Sequence, residues 1–295
     1  MKREQGKKVM VMSRRFFGLG GFAVWCLFVS LLLTACALED DFMRALKGGP
    51  LIPMVYIESG SFIMGSPYED PDAFTDETQH SVFLTKNFYI GKFPVTQKQY
   101  RDVTGNSPSH FQGDNRPVEM VSWFDAIEFC NTLSELEGRT PVYTIDGANV
   151  TWDISANGYR LPTEAEWEYS CRAGTNTVYN VPLPNGSDTI NNDTGWYNDN
   201  STNTNPVGQK PPNAWGLYDM HGNVWEWCWD WYNHEYYENS PQNDPAGPNT
   251  GTGRVLRGGS FSSPGKELRS AYRAFLSPSN DESTNIGFRV VRNAN

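Results

Sequence analysis

Cysteine is scarce in this chain, with five in 295 residues and none after Cys228. Cys130, Cys171 and Cys228 are too widely spaced for a disulfide framework or a metal cluster. They read as small buried hydrophobes, with one disulfide among them left open. Histidine is scarcer still. His80, His110, His221 and His234 are scattered and read as structural or exposed rather than as ligands. Basic charge is in deficit: 24 Lys and Arg stand against 34 Asp and Glu, for a formal charge of −10. That balance disfavours nucleic acid and anionic lipid as partners. Internal repeats, coiled-coil heptads and long helical patterns are also missing, which excludes bundles and solenoids.

What is present begins with a basic start, Lys2, Arg3, Lys7 and Lys8, followed by Ser13-Arg14-Arg15-Phe16-Phe17 and an apolar run to Leu33-Thr34-Ala35-Cys36. The first motif resembles a twin-arginine export signal and the second a lipobox, in which cleavage precedes a lipidated cysteine. A transmembrane anchor is the other reading of the same run. Residues 1–35 are expected to be an export signal, Cys36 the lipid site and 36–50 a linker. Removal of 1–35 takes six Lys or Arg and one Glu, and moves the formal charge to −15. The expected location is the cell envelope, lipid-anchored at the outer surface, with the membrane contacted only through the lipid.

Residues 51–295 are expected to form one loop-rich globular domain. Met54–Ile57 and Phe62–Gly65 read as a hairpin around Ser59-Gly60, and Ser81–Ile90 as further strand. Three helices are marked by caps: Thr96 with Gln99, ending at Gly105; Ser122, ending at Gly138; and Thr163 with Glu166, ending at Gly174. Residues 176–213, rich in Asn, Thr, Gly and Pro, read as surface loop.

The most unusual segment runs from Gly216 to Tyr232. From Val224 it alternates, with Trp225, Trp227, Trp229 and Trp231 on one side and Val224, Glu226, Cys228 and Asp230 on the other. The strand period favours core packing over a carbohydrate-stacking platform. Asp219 and Glu226 carry carboxylates across a Gly-Asn turn, an arrangement that suits a hard cation or backbone amides equally.

Gly216-Leu217-Tyr218-Asp219-Met220, Gly222-Asn223-Val224-Trp225-Glu226-Trp227, Arg257-Gly258-Gly259-Ser260 and Gly287-Phe288-Arg289 together resemble the formylglycine-generating enzyme family, also called the sulfatase-modifying factor domain. Met64-Gly65-Ser66, Pro94-Val95-Thr96 and Arg160 to Glu168 match in the family's order. The resemblance covers about residues 52–292. It implies an α+β, C-type-lectin-like, formylglycine-generating-enzyme-like fold, loop-rich with low regular secondary structure. Active members use two copper-binding cysteines after the Gly-Gly-Ser. Here Ser263 stands at the first position and Gly265 lies near the second. A hydroxyl does not replace a thiolate for copper(I), so no formylglycine-generating activity and no catalytic cofactor are expected. The resemblance also implies a structural calcium held by Asp219, Gly222, Val224 and Glu226.

Variable proteins of diversity-generating retroelements use the same fold to bind, and the tail, residues 254–292, resembles theirs, as does the leader. In that reading Arg254, Val255, Arg257, Gly258, Gly259, Ser260, Arg269, Ser270, Ala271, Arg273, Pro278, Gly287, Phe288 and Arg289 are frame. Leu256, Phe261, Ser262, Ser263, Gly265, Lys266 and Tyr272 are free to differ, as are Ala274, Phe275, Leu276, Ser277, Ser279 and Asn280. Tyr272, Phe261 and Phe275 would be rigid anchors. The expected function is a surface-tethered, non-enzymatic binder of a protein or glycan ligand. The alternatives are a non-diversified pseudoenzyme, acting as adhesin or scaffold, and a hydrolytic enzyme using Asp219, Glu226 or Asp230.

Overall fold

The computed structural model describes residues 51–67, 71–180, 190 and 192–294. The export signal, Cys36 and the 36–50 linker lie outside them. The chain divides into two units, Met1–Leu51 and Ile52–Asn295. Every strand and helix among the described residues lies in the second. No helix among the described residues is long and apolar enough to cross a membrane.

Strands β1 (Met54–Ile57) and β2 (Gly60–Met64) adjoin in sequence but do not pair with each other. β2 runs antiparallel to β3 (His80–Leu84), and β1 to β4 (Phe88–Gly91). The expected β1–β2 hairpin is therefore corrected. The Ser59 amide donates to Asn87 Oδ1 at 2.8 Å, which ties the bend to the β3–β4 connection. The run Ser81–Ile90 is likewise two strands, broken where the Thr85 amide and hydroxyl both donate to Asp244.

The helices start where their caps direct. Capping boxes at Thr96, Ser122 and Thr163 open α1 (Gln97–Thr104), α2 (Trp123–Leu136) and α3 (Glu164–Arg172). α1 ends at Gly105 in the left-handed region. α3 ends one residue before Gly174, on Ala173 at φ +47°.

Two four-stranded sheets organise the rest. In the first, β12 (Val291–Asn293) lies between β4 and β7 (Tyr159–Arg160), giving the order β1-β4-β12-β7. The second has the order β10-β9-β8-β11: β10 is Ala274–Leu276, β9 Arg254–Arg257, β8 Trp225–Trp231 and β11 Ile286–Gly287. β5 (Tyr143–Asp146) and β6 (Asn149–Trp152) form a separate hairpin.

β8 divides two cores. Trp225, Trp227 and Trp229 join Tyr100, Phe129 and Phe288 on one side; Cys228 joins Trp167 and Val255 on the other. Each buried indole contributes about 4–6 kcal/mol of gross transfer free energy. Trp231 is half-buried beyond a register shift against β9. The carboxylates on the Cys228 side are used internally. Asp230 accepts from the Glu164 amide at 2.8 Å, at the positive end of α3.

Candidate functional site

Five tail arginines are buried, and each has a defined anchor. Arg269 forks Glu77 with both bonds at 2.7 Å, and Arg273 forks Glu164 at 2.7 and 2.9 Å. Arg289 forks Glu226 at 2.6 Å twice. Arg257 pairs with Glu168 and donates to three successive carbonyls: Ser270 at 2.8 Å, Ala271 at 2.7 Å and Tyr272 at 2.6 Å. Arg254 instead lies between the Trp123 and Trp231 rings, at 3.8 and 3.7 Å from their centroids, and donates to the Trp229 carbonyl. Burial pulls its pKa down to about 9. Such fork pairs fix a guanidinium in place and orientation. The backbone of residues 254–289 is thereby bonded to β8, α3 and the segment at Glu77.

Ten of the thirteen positions expected to differ keep accessible surface: Ser262, Gly265, Lys266, Tyr272, Ala274, Phe275, Leu276, Ser277, Ser279 and Asn280. The structure brings them together in small groups. Phe74 meets Tyr272 edge-on at 5.4 Å and lies under Lys266 Nζ at 5.8 Å. Phe275, half exposed, stacks on Tyr232 at 4.2 Å. Its β10 neighbours Ala274 and Leu276 pack against the Trp-side core. Asn285 bridges to Ser262, and Ser283 to Asn280.

Three of the expected positions lie inside the fold rather than on an accessible face. Leu256 points into the Trp-side core, Phe261 packs edge-on against Phe111, and Ser263 Oγ bonds within the Ser260 turn. All three are buried, because β9 sits inside its sheet and the Gly258-Gly259 turn folds inward.

The expected calcium set divides. Glu226 gives one oxygen to Arg289 Nη2 and the other to both Arg289 Nε and Trp167 Nε1. A cation within about 2.3–2.6 Å of it would crowd that guanidinium, so the set does not fit through Glu226. Asp219 accepts from neutral donors, the Gly208 amide at 2.7 Å and Asn223 Nδ2 at 3.5 Å. Burial pushes its pKa up to about 6. Gly222 and Val224 adjoin it in the turn, where Asp219, Gly222 and Asn223 all have positive φ. No cluster of three or more His, Cys, Asp or Glu capable of holding a metal occurs among the described residues.

Cys130, Cys171 and Cys228 are free and buried. Burial pushes the Cys171 thiol up to about 12, although His221 Nε2 lies 4.0 Å away. That imidazole is itself held neutral, its pKa driven down to about 4 by burial. It faces the Leu268 carbonyl through Nδ1 and accepts the Asn180 amide at Nε2. His221 thus packs against the tail at Leu268 and has no reactive thiolate beside it.

Sequence reasoning missed Phe74 and Tyr232, which bring aromatic surface to the tail from distant parts of the chain. The one available signal was a lone Phe in the polar stretch between Asp72 and Thr78.

The comparisons with known proteins agree with this architecture. "Chaperone protein LppX" of Paenibacillus barcinonensis is 37% identical over 270 residues, covering 81% of this chain and 89% of its own length. The formylglycine-generating enzyme of Thermomonospora curvata is 37% identical over 276 residues, covering 70% and 82%. The solved structure of Treponema denticola variable protein 1 superposes with a TM-score of 0.73 at 34% identity, covering 82% of this chain and 95% of that one. Residues 41–294 match the sulfatase-modifying factor enzyme 1-like domain, and the chain belongs to that family.

Proposed function

We propose that this protein is a lipid-tethered binder that recognises a protein or glycan ligand through the accessible side chains of residues 254–292, and that it has no formylglycine-generating activity. One observation carries the reading. The buried arginines bond the path of the tail to the rest of the fold, while ten intervening positions keep accessible surface. At the exposed ones, Ser262, Lys266, Phe275, Ser277 and Ser279, side chains change at little cost to stability, as surface positions do. The similarity to a variable protein supports diversification of the segment. The tether rests on Leu33-Thr34-Ala35-Cys36. The lack of any cysteine after Cys228, with Ser263 buried in its own turn, supports the loss of copper chemistry.

The decisive test is a comparison of coding sequences. A near-copy of the tail elsewhere in the genome, differing only where the copy has adenine, is expected, with differences confined to codons of accessible positions. Differences at the five arginine codons would refute the division into frame and face. Purified protein with copper(I) and a cysteine peptide is expected to yield no aldehyde.

A second reading, a fixed rather than diversified face, is favoured by the relative named as a chaperone; identical tails across isolates would establish it. The hydrolytic reading has less support, since Asp219, Glu226 and Asp230 are all buried.

A further inference from the structure

We propose a second binding site, separate from the tail: a cavity of about 210 Å³ that takes a small, uncharged ring compound bearing one hydrogen-bond acceptor oxygen. No residue of 254–292 lines it. Its walls come from the β3–β4 connection, from the end of β6 and from Arg160 on β7.

Arg160 sets the polar requirement. A guanidinium has five N–H donors, and four of them have protein partners here. Nη1 bonds Glu166 at 2.6 Å and the Leu161 carbonyl at 3.3 Å; Nη2 bonds Glu166 at 2.7 Å and Asn293 at 3.0 Å. The fifth, Nε–H, is buried without a partner, on a residue only 2% exposed that lines the cavity. A buried donor left unmet is unfavourable, and an acceptor in the cavity satisfies it. Arg254, Arg257 and Arg292 also have an unpartnered Nε, but none of them lines this cavity.

The rest of the lining sets the class of ligand. Trp152 is held flat against Trp229, with centroids 4.4 Å apart and planes at 15°, so it forms a rigid aromatic wall. Leu84, Phe88, Ile154 and Ala246 make the remaining surface mainly apolar. Charge cancels: Lys86 and Arg160 stand against Glu166 and Asp244. Both carboxylates are already engaged, Glu166 with Arg160 and the Thr163 amide, Asp244 with Thr85. A cavity of about 150 Å³ holds benzene, so this one has room for a ring with a short carbonyl group.

Benzamide is the probe. Titrated into the full-length chain in detergent, it is expected to bind saturably at one site and to shift the Arg160 Nε–H resonance. Benzoate is expected to bind more weakly. Ala246→Phe, which leaves Arg160 and Glu166 themselves in place, is expected to fill the cavity and abolish binding at an unchanged unfolding midpoint. Ile154→Trp, on the exposed wall, serves the same purpose if Ala246→Phe unfolds. No saturable binding of benzamide, an unmoved Nε–H resonance, binding retained in a folded cavity-filling variant, or benzoate binding as tightly as benzamide would each overturn the proposal.

Discussion

At the scale of single residues, buried charge dominates. Arg257 touches Glu168 and three tail carbonyls, so Arg257→Leu removes four contacts and strips Glu168 of one of its two basic partners. Breaking such a pair costs about 3–5 kcal/mol, which lowers the unfolding midpoint by on the order of 10 °C in a domain of this size. Phe275→Ser, on the accessible side of the same segment, is expected to change stability by about 0.5 kcal/mol or less plus the loss of its stack on Tyr232, while altering ligand binding. Thermal unfolding of the two variants side by side separates frame from face. Asp219 gives a pH signature. Its folded pKa of about 6 lies above the ordinary 3.8, so the folded state holds the proton more tightly. Stability should therefore fall as pH rises from about 4 to about 6 and stay lower above that. Asp219→Asn is expected to unfold at a higher temperature than the parent at pH 8 in metal-free buffer, with the advantage gone at pH 4. If a calcium ion occupies the turn, millimolar calcium will raise the parent's midpoint, leave the variant's unchanged and reverse their order.

At the scale of elements, the Gly258-Gly259 turn carries the tail away from β9. Both residues have positive φ, +94° and +72°, and a Cβ on Gly258 would stand 3.1 Å from the Trp167 ring. Gly258→Ala is expected to destabilise by about 1–3 kcal/mol, and Gly258→Glu to unfold the tail, both readable by denaturant titration. The helices were legible in the sequence because their signals are local. A Thr or Ser with its N3 partner lies within one turn, and all three capping boxes form. The alternation of β8 was legible for the same reason, since a period of two needs only neighbouring residues. Strand pairing was not. Ser59 bends the chain away because Asn87 captures its amide, and no pattern within residues 54–65 encodes that partner. The candidate face divides along the same line. Fully buried tail arginines carry their own signature in charge and spacing, whereas the burial of Leu256, Phe261 and Ser263 depends on what packs over them. Glu226 illustrates the limit: its carboxylate was visible, but its competitor Arg289 lies far along the chain.

At the scale of the whole molecule, the last strand completes the first sheet. β12 pairs with β4 on one side and β7 on the other, so residues Val291–Asn293 hold together pieces from the start and middle of the domain. Until they arrive, β4 and β7 each present an unsatisfied edge. The first sheet therefore cannot close before residues Val291–Asn293 are available to it. A stop codon anywhere in residues 254–290 deletes this closing strand. Truncation after Arg289 is expected to give a protease-sensitive product with no cooperative unfolding transition. Closure of this sheet is thus a check on continuity: a polypeptide interrupted anywhere between Arg254 and Arg289 lacks the piece that joins the beginning of the domain to its middle.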